Sequence, residues 1–120
     1  MHALRLALYA LAAFIVVDGD TIKAPYGPTY RILGYDTPET VFAKCAAERE
    51  MGFIAKARLE ELLARGEVRV LESGKIDKYG RSLAKVTVNG EDLAVLMVRE
   101  GLARPYHGER RQSWCSLTAS

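Results

Sequence analysis

Between Phe14 and Tyr35 the chain is punctuated so closely that few folds can accommodate it. Phe14-Ile15-Val16-Val17 runs directly into Asp18-Gly19, and Pro25-Tyr26-Gly27-Pro28 interrupts the chain again before Thr29 to Tyr35. Short runs of β-branched and aromatic residues bounded by Asp-Gly and Pro-Gly turns read as neighbouring antiparallel strands. A parallel pair would need a crossover of a dozen residues or more, and these turns leave no room for one. The expected strands are therefore Ala13 to Val17, Thr21 to Ala24, and Thr29 to Tyr35.

The next segment, Asp36-Thr37-Pro38-Glu39-Thr40, must leave the sheet, because Pro38 has no amide hydrogen for a ladder. Ala46 to Arg65 then carries Met51, Ala55, Leu59, Leu62 and Leu63 at helical spacing, and Gly66 stands where a helix commonly ends. Val68 to Leu71 and Ser82 to Val88 read as two more strands, the second closed by Asn89-Gly90. Asp92 can cap a short helix over Leu93 to Glu100, stopped by Gly101. This order gives a mixed α+β, mainly β, fold: a small five-stranded barrel of the oligonucleotide-binding (OB) type with two helices. The whole of residues 1–120 is expected to form one domain, with residues 108–120 as a tail.

Leu6 to Val17 lacks any charge and follows Arg5, and Ala10-Leu11-Ala12 has the small-x-small form of a cleavage site. The run is too short to span a bilayer. It therefore reads either as a signal-like segment over residues 1–12 or as the start of the first strand, which leaves export open, with a secreted or periplasmic location slightly favoured. Cys45 and Cys115 lack the spacing of a zinc site. They can form a disulfide in an oxidising compartment or stay as two thiols in a reducing one. The net charge of +2 does not announce a nucleic-acid binder. Arg99, Arg104, His107, Arg110 and Arg111 gather against only Glu100 and Glu109, a pattern that a solvated basic end explains equally well.

Three polar clusters lie just beyond expected strands: Asp18-Gly19-Asp20-Thr21, Arg31 with Asp36-Thr37-Pro38-Glu39, and Asp77-Lys78-Tyr79-Gly80-Arg81. Each alone is an ordinary turn. Together they hold what phosphodiester hydrolysis requires. Asp20, Asp36 and a carbonyl near Thr37 offer hard oxygen ligands to a divalent cation. Arg31 and Arg81 have planar forks suited to phosphate. Glu39 can orient or deprotonate a water.

Val16 to Thr21, Arg31 to Thr40 and Asp77 to Arg81 resemble, in order and approximate separation, the three signature stretches of staphylococcal nuclease and its relatives. Gly101-Leu102-Ala103 is similar to the family's segment after its second helix. The similarity covers roughly residues 14–106. It implies an OB-like barrel and a calcium-dependent endonuclease acting on DNA and RNA and leaving 3′-phosphate ends. Asp20 and Asp36 match the calcium carboxylates, Thr37 the residue lending its carbonyl, Glu39 the general base, and Arg31 and Arg81 the phosphate-clamping arginines. Lys78 and Tyr79 align with residues lining the nucleotide pocket, and Tyr106 with a tyrosine near the base. The resemblance implies a nucleic-acid substrate and no stable protein partner, and the protein is expected to act as a monomer. The loop after Glu39 is shorter than the family's, and residues 108–120 replace its final helix, a loss that a Cys45–Cys115 bridge would offset.

The alternative is a non-catalytic nucleic-acid or protein binding module on the same fold. A single-strand binder would use aromatic platforms, for which Tyr26, Tyr30 and Tyr35 are the candidates. Neither reading explains three carboxylates among the arginines, since bare acidic groups repel phosphate unless a cation lies between them.

Overall fold

The computed structural model describes residues 5–9 and 14–115, the first five by their backbone. The strands are β1 (Arg5–Tyr9), β2 (Ile15–Asp18), β3 (Thr21–Lys23), β4 (Thr29–Ile32), β5 (Gly34–Asp36), β6 (Val68–Ile76), β7 (Ser82–Val88), β8 (Glu91–Asp92) and β9 (Arg104–Tyr106). Two helices join them, α1 (Ala46–Leu63) and α2 (Leu93–Arg99). The main sheet has the order β1-β6-β7-β4-β3-β2, with β8 paired to β7, and β5 and β9 form a separate two-stranded sheet. The β2-β3-β4 meander is antiparallel, as its turns require, while β4 meets β7 in parallel.

The mixed, mainly β architecture with two helices follows the sequence reading, with several corrections. Among the described residues no ladder joins β1 to β2, so the sheet is an open path and not a closed five-stranded barrel. The signal-like segment carries β1, whose backbone pairs with β6 from Arg5↔Glu72 to Tyr9↔Val68. Residues 10–13, with the small-x-small site and Ala13, lie outside the described residues.

The expected strand Thr29 to Tyr35 is two strands with different partners. Gly34 has φ +100, a left-handed conformation that costs glycine little, and it turns the chain from β3 and β7 towards β9. The Arg31 side chain fills that corner, donating from Nη1 to the carbonyls of Ile32 at 2.6 Å and Tyr35 at 2.9 Å.

Helix α1 ends two residues before the expected Arg65, capped by Ala64 in right-handed conformation. Gly66 is not the left-handed stop expected of it. It makes room for Asn89, whose Oδ1 accepts from the Glu67 amide at 2.9 Å and would lie 2.1 Å from an added Cβ. Met51 is exposed, and the buried stripe is Gly52, Ala55, Leu59, Leu62 and Leu63. Strand β6 runs on to Ile76, beyond the expected Leu71. Helix α2 starts as expected, with Asp92 Oδ1 accepting from the Ala94 amide at 2.9 Å.

Leu59, Leu62, Ile22, Ile32, Val70, Val86, Leu93 and Met97 pack without solvent contact between α1, the sheet and α2. Tyr30 and Tyr35 are buried with them, their hydroxyls donating to Glu72 Oε2 at 3.0 Å and to the Gly19 carbonyl at 2.8 Å. They cannot serve as stacking platforms, which leaves Tyr26 alone exposed of the three.

The chain after β9 folds back to the N-terminal end of α1. Cys45, the N-cap of α1, is bonded to Cys115 across a sequence separation of 70. Trp114 is half-buried and is the chain's one tryptophan. Such a bridge stabilises chiefly by restricting the unfolded chain, here by about 4 kcal/mol on the entropic model. Cys115→Ser spares the Cys45 cap and is expected to lower stability by roughly 2–4 kcal/mol, read as a lower urea midpoint with a steeper slope, because the freed unfolded chain exposes more surface. An unchanged midpoint would mean that the tail holds without the bond.

Candidate active site

The β2–β3 turn, the β4–β5 corner and the segment after β5 converge on one face of the molecule. Asp20 and Asp36 are almost wholly buried, and both approach the same Arg31 nitrogen, Nη2, at 3.4 and 3.5 Å. Arg31 is itself shielded, with 11% of its side chain exposed. Asp20 is oriented by two further donors, the Thr37 amide at 3.1 Å and the Thr21 hydroxyl at 2.9 Å. Asp18 accepts from the Thr40 hydroxyl at 2.6 Å.

The chain from Thr37 to Thr40 crosses the N-terminal end of α1 and is fixed by it. Buried Glu48 accepts from the amides of Glu39 at 3.0 Å and Lys44 at 2.9 Å, tying the loop to the first turn of the helix. Gly52 lets the two backbones touch. A Cβ there would meet the Glu39 carbonyl oxygen at 2.1 Å, so only glycine permits this approach. The short loop thereby holds Glu39 beside the aspartates on a rigid element.

The third cluster lies across the site. Asp77 Oδ1 accepts from the amides of Tyr79 and Arg81, each at 2.9 Å, which closes the Asp77 to Arg81 loop, and Asp77 Oδ2 binds Arg81 Nε at 2.7 Å. Arg81 Nη1 is 3.5 Å from Thr21 Oγ1, whose hydroxyl binds Asp20. Tyr79 is exposed, with Arg81 and Lys78 against its ring at 5.2 and 5.3 Å. Lys78 and Tyr79 thus stand at the rim and join the carboxylates only through Arg81. Tyr106 reaches the centre from β9, with the Arg31 guanidinium 5.7 Å from its ring centroid.

Sequence reasoning missed Arg111 and Trp114. Arg111 binds Asp36 Oδ1 through Nε at 2.9 Å and Glu39 Oε2 through Nη1 at 2.9 Å, and Nη2 lies 3.5 Å from the Thr37 carbonyl. Trp114 Nε1 donates to Asp36 Oδ2 at 3.2 Å, and Arg104 stacks on its ring at 3.6 Å. Their signal was Cys115. A bridge to Cys45 brings the tail to the helix end nearest Glu39. Beside Asp36 this tail walls a cleft of about 440 Å³, lined also by Tyr106, Arg104 and Arg110 among others.

The charges are finely balanced. Burial raises the pKa of Asp36, opposed by Arg111, while Asp20 nearby raises it further. Burial likewise raises Glu39, against the Arg111 hydrogen bond, with Asp18 adding to the rise. Arg111 loses by burial and gains more from Asp36 and Glu39, so its charge is reinforced. Burial would raise Asp77, but the hydrogen bonds from Arg81 and Tyr79 outweigh it and hold this carboxyl below its usual range.

A family model described as staphylococcal nuclease homologue matches residues 29–116. The chain belongs to that family. The matched region begins with β4 and takes in Arg31, Asp36, Thr37, Glu39, Arg81 and the Arg111 to Cys115 tail, while the hairpin bearing Asp20 precedes it. The chain is similar to the SPbeta prophage-derived endonuclease YokF of Bacillus subtilis (strain 168), 41% identical over 93 residues that make up 73% of this chain and 31% of that protein. It is 40% identical over 93 residues to Endonuclease YncB of the same organism, covering 73% of this chain and 44% of the relative. With a thermonuclease of Staphylococcus intermedius the identity is 38% over 93 residues, 74% of this chain and 55% of the relative. The chain therefore spans about half or less of the length of these curated relatives.

Gly52 gives a clean test of the loop clamp. Gly→Ala inside a helix ordinarily stabilises by about 0.5–1 kcal/mol. Here the clash with Glu39 should reverse the sign, and Gly52→Ala is expected to lower the thermal midpoint. A higher midpoint would show that the loop is not pinned to α1.

Proposed function

We propose that the chain is a calcium-dependent endonuclease that hydrolyses phosphodiester bonds in DNA and RNA and leaves 3′-phosphate ends. The observation that carries this reading is the convergence of two buried aspartates on one arginine nitrogen, with Glu39 beside them on a separate, pinned loop. Relatives named as endonucleases and a thermonuclease support it.

The donor set suits calcium. Asp20, Asp36 and the Thr37 carbonyl are hard oxygen ligands, and Thr37 Oγ1 beside them is a buried polar atom with no partner among the described residues. Among the described residues Cys45, Glu48 and Cys115 also gather potential ligand atoms, but they offer no thiolate because the two sulfurs are bonded to each other. Bound at the aspartates, calcium would draw a phosphate to them and neutralise charge growing on its oxygens.

The protein groups supply the rest. Arg31 presents its Nη2 edge at the aspartates, and Arg81 faces them through Thr21, so a phosphate between them meets two planar donors. Glu39 accepts a proton from a water that attacks phosphorus. The P–O5′ bond breaks, the 5′ oxygen leaves and takes up a proton from solvent water, and the phosphate remains on the 3′ side. Lys78, Tyr79 and Tyr106 border the path of the nucleotide, the tyrosines offering rings to a base.

With calcium the purified protein should degrade both plasmid DNA and RNA, and an excess of chelator should stop it. In the same assay Glu39→Gln should lower kcat by roughly 10²–10⁴ with little change in KM. Undiminished degradation in chelator would remove calcium from the account, and a fully active Glu39→Gln protein would remove Glu39 as the base.

A further inference from the structure

Arg111 touches the very oxygens that the proposed function gives to the cation and to the base. Its three guanidinium nitrogens reach Asp36 Oδ1, Glu39 Oε2 and the Thr37 carbonyl. We propose that Arg111 is a built-in counter-cation of the site, which a divalent metal ion must displace from Asp36 and Thr37 in order to bind. The inference rests on the calcium reading above and goes beyond it by naming what competes with the metal.

Three observations support displacement over permanent residence. Arg111 Nε at 2.9 Å fills a lone pair of Asp36 Oδ1, where Arg31 stands off at 3.5 Å, and its charge repels a second cation, so Arg111 and a metal compete for that oxygen. Arg31 is not the residue that leaves. Both its Nη1 bonds hold the β4–β5 corner, and only 11% of its side chain meets solvent. Arg111 by contrast is 41% exposed, and among the described residues its hydrogen bonds and ion pairs go only to this cluster.

The backbone around Arg111 is tied down independently of its side chain. Arg104 donates to the carbonyls of Gln112 at 3.3 Å and Ser113 at 3.0 Å, Trp114 is bonded to Asp36, and Cys115 is bridged to Cys45. A displaced guanidinium consequently stays within a side chain's length of the site. There it can meet the phosphate that arrives with the metal, a third planar donor beside Arg31 and Arg81.

The equilibrium has a measurable sign. If the arginine-bound form predominates, the metal's apparent affinity is reduced by the fraction of molecules in which Arg111 is away. Calcium chloride alone, titrated calorimetrically at fixed ionic strength without nucleic acid, should bind Arg111→Gln on the order of tenfold more tightly than the native chain. Arg49→Gln, which removes an equal charge from an exposed residue in the first turn of α1, should change the affinity by less than about twofold. Equal or weaker binding by Arg111→Gln would overturn the proposal, as would an equal gain in Arg49→Gln, which would reduce the effect to general charge. Uptake by neither the native chain nor Arg111→Gln would sink the calcium reading, and this proposal with it. A second measurement needs no folded variant. In the native protein the Arg111 Nε–H resonance, held by Asp36, should move to the position of a solvated arginine as calcium saturates the site. Its persistence unchanged at saturation would also overturn the proposal.

Discussion

The guanidinium of Arg31 is the point on which fold and site depend together. Its Nη1 closes the corner between β4 and β5 by binding two carbonyls, and its Nη2 faces two buried carboxylates. Without it the corner would expose carbonyls to a dry interior, and Asp20 and Asp36 would repel each other in a region of low dielectric. A lysine could supply the charge but not the four directed contacts, because it lacks the planar fork. The position therefore couples the β-sheet geometry to the placement of negative charge.

Around this centre the chain spends its irregular segments on precision. The loop after β5 is short, but Glu48 holds its amides and Gly52 admits its backbone, so α1 acts as the wall against which Glu39 is set. The described tail after β9 contributes little apolar burial, and it is kept in place by a disulfide and by Trp114 on Asp36. Loops fixed in this way can carry chemistry because their supports are rigid.

Much of this was legible in the sequence. Asp-Gly, Asn-Gly and proline turns marked the strands, and the order of acidic and basic residues pointed to phosphate chemistry. What stayed hidden has physical causes. An apolar run such as Leu6 to Val17 reads alike as a signal segment and as strands, and the pairing of β1 with β6 is a long-range choice. The glycine in Arg31-Ile32-Leu33-Gly34-Tyr35 gave no sign that the chain would change sheets there. Gly66 looked like a helix stop because its neighbour in space, Asn89, is distant in sequence. Arg111 read as part of a solvated basic end, since only the bridge to Cys45 brings it to Asp36 and Glu39.

In the proposed reaction water attacks phosphorus and displaces the 5′ oxygen of a phosphodiester. Mass spectrometry of a short DNA oligonucleotide digested with calcium in ¹⁸O-labelled water tests it most directly. The fragments should end in a 3′-phosphate that carries one labelled oxygen, with unlabelled 5′-hydroxyl ends on their partners. Fragments with 5′-phosphate ends, or 3′-phosphates without label, would contradict it.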